Sequence, residues 1–184
     1  MVNELYRQTV HLLIGCVSAL AAYLLPKAVF LWLFGLIFLV SIGALLFFKQ
    51  ELKSLFQLFE REHAAFKGKG AIFFIFGIWV AAALFYEQAP LAILVLAVPD
   101  ALATIVGTRV LSPKLPYNHR KSYAGTAAFF LSASIVLSFQ YQELAVFFIA
   151  FFLTAIESFD YREIPFLDDN MVIPVVCAYL LSFV

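Results

Sequence analysis

Asp100 stands inside VPDALATIVGTRVL, residues 98–111, a stretch that otherwise has the composition of a membrane span. On a helix, Asp100, Thr104, Gly107, Thr108 and Leu111 share one face, and Leu102, Ile105 and Val106 point elsewhere. Asp100 precedes Arg109 by nine residues, which sets it roughly 13 Å in from that helix end. A charge at such depth costs on the order of 3 kcal/mol on insertion scales, so an acid there is a functional-site candidate by default. Such a carboxylate can orient or deprotonate a hydroxyl, or hold a metal ion. The plainer reading is a structural hydrogen bond to a neighbouring helix.

Three other clusters carry comparable chemistry. The loop SPKLPYNHRKSYAGT, residues 112–126, gathers Lys114, His119, Arg120 and Lys121 ahead of Gly125, with Ser122 placed to cap the next helix. Free N–H groups and the positive dipole end of a helix start suit phosphate, and the cations add to that. Attraction to anionic lipid is the alternative. In AIESFDYREIPFLDDNMVIP, residues 155–174, Glu157 and Asp160 precede Asp168, Asp169 and Asn170. Asp and Asn are ordinary N-caps, but so many oxygen-bearing side chains exceed what capping needs. Magnesium takes carboxylates plus phosphate oxygens and keeps some water, so these acids suit a metal–nucleotide site. In ELYRQTVHLLIG, residues 4–15, Arg7 and His11 are neighbours at i, i+4. They can grip a phosphate, or Arg7 can pair with Glu4 while His11 bonds to another helix. No P-loop or protein-kinase signature occurs, Gly68-Lys69-Gly70 is too short to be one, and no His/Cys cluster points to zinc.

The elements that must position these residues are membrane helices. Of the 184 residues, 64% are hydrophobic and 13% charged, against about half and about a quarter in soluble domains. The uncharged run from Ala28 to Phe48 is long enough to cross a hydrocarbon core. The runs lack the alternation of a β-barrel. The expectation is an all-α, multi-pass helical bundle forming one domain over residues 1–184. Seven helices are predicted, near 8–25, 28–48, 70–86, 89–110, 123–141, 143–158 and 170–184. The last two are short, which leaves six as the other count. Residues 49–69 carry an amphipathic pattern that suits a helix in the interface or an extension of the second span.

Alternating sides, eleven of the twelve Lys and Arg residues fall on one side: Arg7, Lys49, Lys53, Arg61, Lys67, Lys69, Arg109, Lys114, Arg120, Lys121 and Arg162. Only Lys27 falls on the other. The positive-inside rule therefore predicts a cytoplasmic N-terminus and a candidate site facing the cytoplasm. Glu4 accompanies Arg7 ahead of the first apolar run, so a retained span is expected there rather than a cleaved signal. The formal net charge is zero, which gives no electrostatic reason to expect a nucleic-acid partner. Cys16 and Cys177 sit in apolar runs and read as small buried hydrophobes.

Four motifs recur in order: R-x-x-x-H at Arg7, D-A-x-A-x-x-x-G at Asp100, K-S-x-x-G-T at Lys121 and D-D-N-x-x-I-P at Asp168. In these the sequence resembles the polyprenol kinase family, which includes dolichol kinases, phytol kinases and a CTP-dependent diacylglycerol kinase. The resemblance runs roughly from Glu4 to Pro174. It implies a multi-pass enzyme that transfers the γ-phosphoryl group of a nucleoside triphosphate, often CTP, to a lipid alcohol such as a polyprenol, dolichol, phytol or diacylglycerol. Asp100, Gly107, Lys121, Gly125, Glu157, Asp168, Asp169 and Asn170 fall on family motif positions, and Arg7 and His11 on the first-span motif.

On that resemblance Asp100 and Lys121 are the catalytic candidates. Magnesium would be held by some of Asp100, Glu157, Asp168 and Asp169. The nucleotide would meet Arg7, His11, Gly107, Lys114, Arg120, Lys121, Ser122, Gly125 and Asn170. Pro99 stands where members commonly have glycine, and Ala124 where an acid often precedes the loop glycine. Two other readings are a CTP-dependent lipid cytidylyltransferase and a small ion-coupled transporter using Asp100 and Glu157.

Overall fold

Charge, proline and polar caps set the helix ends. The computed structural model describes residues 4–47, 69–161, 164 and 166–184. Among them the chain forms seven helices: α1 (Glu4–Leu24), α2 (Lys27–Phe47), α3 (Lys69–Leu84), α4 (Ala89–Arg109), α5 (Tyr123–Ser138), α6 (Glu143–Ser158) and α7 (Asp169–Leu181). At the α1–α2 turn the Pro26 carbonyl accepts from the Phe30 amide at 3.0 Å, which starts α2. Pro90 occupies the first turn of α4, where a missing N–H loses nothing. Ser122 caps α5 and Asp168 caps α7 through their side-chain oxygens.

Where the sequence predicts only a loop, between α4 and α5, the structure has an antiparallel hairpin of β1 (Lys114–Leu115) and β2 (Asn118–Ser122). The amphipathic pattern over 49–68 lies outside the described residues, and so do Lys49, Lys53, Arg61, Lys67 and Arg162.

Helices α1, α2 and α4 are long and apolar enough to cross a membrane, and α3, α5 and α7 are shorter apolar helices. α4 is the central element, packed on α1, α5 and α7. Ile93 and Leu96 of α4 are fully buried, as are Phe129, Leu153 and Ile173 from α5, α6 and α7. α2 instead exposes Trp32, Leu36, Leu39 and Val40, as a lipid-facing helix does. The turn before α2 and the turn before α4 meet where the Tyr86 hydroxyl donates to the Leu25 carbonyl at 2.6 Å. The starts of α1, α3, α5 and α7 and the ends of α4 and α6 gather at the opposite end, joined by the contacts described below.

Two close approaches set that end. A Cβ on Gly107 would stand 3.3 Å from the Gly125 Cα, and one on Gly125 would stand 2.8 Å from the Ala103 carbonyl oxygen. The α4 and α5 backbones therefore touch. Gly77 does the same for α3 and α7: a Cβ there would overlap the Asn170 carbonyl oxygen and stand 2.7 Å from the Met171 Cα. Pro174, inside α7, lacks the N–H that would bond that carbonyl, so the Asn170 oxygen is free to face the bare Gly77 backbone.

Gly77→Ala is expected to destabilise the fold by about 1–3 kcal/mol through overpacking, read as a lower unfolding midpoint in detergent. Gly43→Ala, where nothing lies within 4 Å of the added carbon, is expected instead to gain about 0.5–1 kcal/mol from helix propensity.

Candidate active site

The site is built from ion pairs that tie different elements together. Lys121, on β2, forms a short charge-assisted bond to Glu157 Oε1, and its Nζ lies 3.8 Å from Asp169 Oδ2. One cation thus serves two acids, from α6 and α7. Glu157 is 1% exposed, and its Oε2 has no hydrogen-bond partner among the described residues. A buried carboxylate is tolerated when paired and hydrogen-bonded, which Lys121 supplies on one oxygen only.

The hairpin delivers Lys121 to that position. Asn118 is buried and donates to the Ser158 carbonyl at 2.8 Å, and Tyr117 donates to Ser158 Oγ at 2.9 Å. Both bonds pin β2 to the residue after Glu157. Asn118 also accepts from the Arg120 amide at 3.1 Å, which fixes the local turn of the strand.

At the start of α7, Asp168 accepts from the Asn170 amide, and the Asn170 side chain donates to Asp168 Oδ1 at 3.0 Å and to the Gly70 carbonyl at 3.4 Å. Lys69 is buried, 4.0 Å from Asp168 Oδ2, and donates to the Ile164 carbonyl at 3.4 Å. Its ammonium sits 5.5 Å above the Phe73 ring, a further favourable contact for a cation.

Burial above all pushes the Asp168 carboxyl up to about 7, with the neighbouring Asp169 adding to it and the Asn170 amide and Lys69 opposing. Burial likewise raises the Tyr161 phenol, with Asp169 and Glu157 adding and Lys121 opposing. Because the folded Asp168 binds its proton more tightly than an unfolded Asp, near 3.9, its contribution to stability is full below about pH 4. That contribution is lost as the pH rises through about 7. In chelator, the unfolding midpoint is expected to decline over that window, and Asp168→Asn to flatten the decline.

Asp100 lies on α4 against α1, with His11 Nε2 3.7 Å from its Oδ2 and both side chains largely buried. His11 also meets the Phe74 ring edge-on at 4.7 Å between centroids. Arg7 pairs with Glu4. Asp100 and Asp169 both act electrostatically on Glu157, so the α1–α4 pair and the Lys121 group share one electrostatic environment.

Several expectations change in detail. The polar stripe on α4 divides: Asp100 is buried, whereas Thr108 is exposed with its hydroxyl turned back to the Thr104 carbonyl at 2.8 Å, and Leu111 is fully exposed. The Gly125 amide donates to Ser122 Oγ at 3.2 Å, so it serves the α5 cap. Lys114 and Arg120 are exposed on the hairpin, where Lys114 donates to the Arg120 carbonyl at 3.3 Å.

The four acids do not form one cage. Among the described residues no three Asp, Glu, His or Cys side chains group as a metal centre. The donor set still fits magnesium, which needs one or two carboxylates plus phosphate oxygens and water. Glu157 has an unpartnered buried oxygen and Asp169 shares its cation.

An uncharacterized protein of Methanocaldococcus jannaschii is 32% identical over 98% of this chain and 93% of its own length. Phytol kinase 1, chloroplastic, of Arabidopsis thaliana is 30% identical over 61% of this chain and 43% of its own length. Farnesol kinase, chloroplastic, of the same plant is 32% identical over 60% and 41%. The chain belongs to the polyprenol kinase-like family. It spans about two-fifths of the length of those two plant kinases. No family model and no solved structure matches it.

Within this polyprenol kinase-like chain, the motif residues Lys121, Glu157 and Asp169 meet, and so do His11 and Asp100. Sequence reasoning missed Lys69, Asn118, Ser158 and Gln8. Lys69 was counted only as one of many cations on its side, although two glycines flank it at a span's start. Asn118 and Ser158 lie 40 residues apart, and no local pattern links them. Gln8 lies between two residues that the motif already marked, Arg7 and His11.

Proposed function

We propose that this chain is a membrane-embedded isoprenoid-alcohol kinase that uses CTP as donor and Mg2+ as cofactor. The reading rests above all on Lys121, a largely buried cation shared by Glu157 and Asp169 at one end of a bundle of largely apolar helices. The names of the plant relatives point to isoprenoid alcohols as acceptors. The positive-inside count supports a multi-pass topology with the N-terminus and the site on the cytoplasmic side.

Phosphoryl transfer depends on positioning and charge neutralisation more than on covalent chemistry. Lys121 faces the γ-phosphoryl group and offsets charge that grows in the transition state. Arg120 and Lys114, exposed on the same hairpin, attract the triphosphate from water. Asn170 holds the α7 start in register with α3. Glu157 and Asp169, with Asp168 next to them, would hold Mg2+, which would supply charge neutralisation at the phosphate oxygens. Asp100 orients the acceptor hydroxyl and takes its proton. The alcohol oxygen bonds to the γ-phosphorus, the bond from that phosphorus to the β-phosphate oxygen breaks, and CDP leaves.

The test offers the purified full chain in lipid micelles γ-labelled CTP or ATP with farnesol, phytol, a longer polyprenol or diacylglycerol, with and without Mg2+. Label on an isoprenoid alcohol, dependent on Mg2+ and strongest with CTP, is the expected result. Pyrophosphate release with a CDP-lipid product points to the cytidylyltransferase. Proton or ion counterflow in proteoliposomes without nucleotide points to the transporter.

A further inference from the structure

Five buried side-chain polar atoms lack a hydrogen-bond partner among the described residues, and three of them lie within one stretch of α1: Arg7 Nε, Gln8 Oε1 and His11 Nε2. Gln8 is 3% exposed. Its amide nitrogen donates to Glu4 Oε1 at 3.1 Å, which leaves its oxygen as a bare buried acceptor. Gln8 and His11 are three residues apart and so are neighbours on the helix. His11 Nε2 and Asp100 Oδ2, at 3.7 Å, are too far apart for a hydrogen bond. Buried polar groups are normally satisfied, and exceptions point to a missing partner. By helix rise, His11 lies about 10 Å in from the start of α1 and Asp100 about 13 Å in from the end of α4, comparable depths from the same end of the bundle.

This set selects a chemical class. Arg7 is already engaged by Glu4, and the bare amide oxygen of Gln8, one helical turn from the His11–Asp100 pair, is repelled by the oxygens of a phosphate. A neutral hydroxyl has one hydrogen to give and lone pairs to receive one. We propose that Gln8, His11 and Asp100 form the acceptor-alcohol subsite between α1 and α4, in which Gln8 discriminates a free hydroxyl from its capped equivalents. The inference rests on the kinase reading for its chemistry and on the unpartnered atoms for its place. The O–H lies between Gln8 Oε1 and the Asp100 carboxylate, and His11, in the tautomer with its proton on Nε2, donates to the alcohol oxygen. As the oxygen bonds to the γ-phosphorus of the nucleoside triphosphate, the O–H proton passes to Asp100 and the nucleoside diphosphate departs. Gln8 and His11 are positioning residues, and the triphosphate is left to the Lys121 side.

The test measures binding of farnesol and of farnesyl methyl ether, which lacks the O–H, to the full chain in micelles, and the KM for farnesol and for CTP. The wild type is expected to bind the alcohol about tenfold more tightly than the ether, the effect of one well-placed buried hydrogen bond. Gln8→Met is expected to erase that preference and raise the farnesol KM about tenfold, with the CTP KM and the unfolding midpoint unchanged. His11→Ala is read in the same way and decides the matter where Gln8→Met fails to accumulate. Equal binding of alcohol and ether by the wild type overturns the proposal. So does a preference that survives both substitutions, or a rise in CTP KM with farnesol KM unchanged. A preference that depends on Gln8 in a chain that transfers no label from any nucleotide upholds the subsite and removes the kinase reading instead.

Discussion

Lys121→Met is expected to lower phosphoryl transfer at least about 10³-fold, the scale of losing a preorganised charge at the reacting group, and to destabilise the fold by about 3–5 kcal/mol. The second effect comes from stranding Glu157, which is 1% exposed and holds Lys121 as its cation; removing one partner of a buried pair leaves an uncompensated charge. Pairing the substitution with Glu157→Gln separates the two roles. The double variant regains most of the unfolding midpoint because the stranded charge is gone, and it remains inactive because the phosphate has lost its cation and Mg2+ one of its carboxylates. An active double variant would show that Lys121 only balances charge.

Asp100→Asn has the opposite profile. The carboxylate is buried on α4 with His11 Nε2 facing it at 3.7 Å, so replacing it with an amide removes an acid from the membrane-depth interior. Stability is expected to hold or rise, by up to about 3 kcal/mol on insertion scales. Transfer is expected to fall about 10²–10⁴-fold, the range of a general base. Single-turnover rates with saturating nucleotide, measured beside the unfolding midpoint, check both halves. A fully active Asp100→Asn chain would leave Asp100 with a structural role only.

Much of the helix pattern was legible in the sequence because each apolar run ends at a charge, a proline or a polar cap. The start predicted for the fourth helix, at residue 89, and both ends of the sixth, 143–158, coincide with the observed bounds. The first helix starts four residues earlier than predicted, because Glu4 and Arg7 pair along its first turn and extend it into polar sequence. The hairpin was not legible. A two-residue strand and a strand reading NHRKS show no apolar alternation, and what holds them is the bond from Asn118 to Ser158 in a distant helix.

The candidate residues themselves were visible as charges at improbable depth or density, but their pairing was not. Nothing local assigns Lys121 to Glu157 and Asp169, or Lys69 to Asp168. Gly107 and Gly125 stood among the nucleotide-contacting residues on the resemblance, and that their backbones pack on each other was not visible locally.

That glycine contact has a consequence for how such a scaffold can diversify. It lies between the helix carrying Asp100 and the strand–helix junction carrying Lys121, so the separation of those two backbones is a main-chain dimension. No rotamer can retune it, and a single added methyl would pry the halves apart. On the kinase reading proposed above, variants of this scaffold suited to bulkier or longer alcohols would have to reshape side chains around α1, while the spacing of the α4 and α5 backbones stays the same.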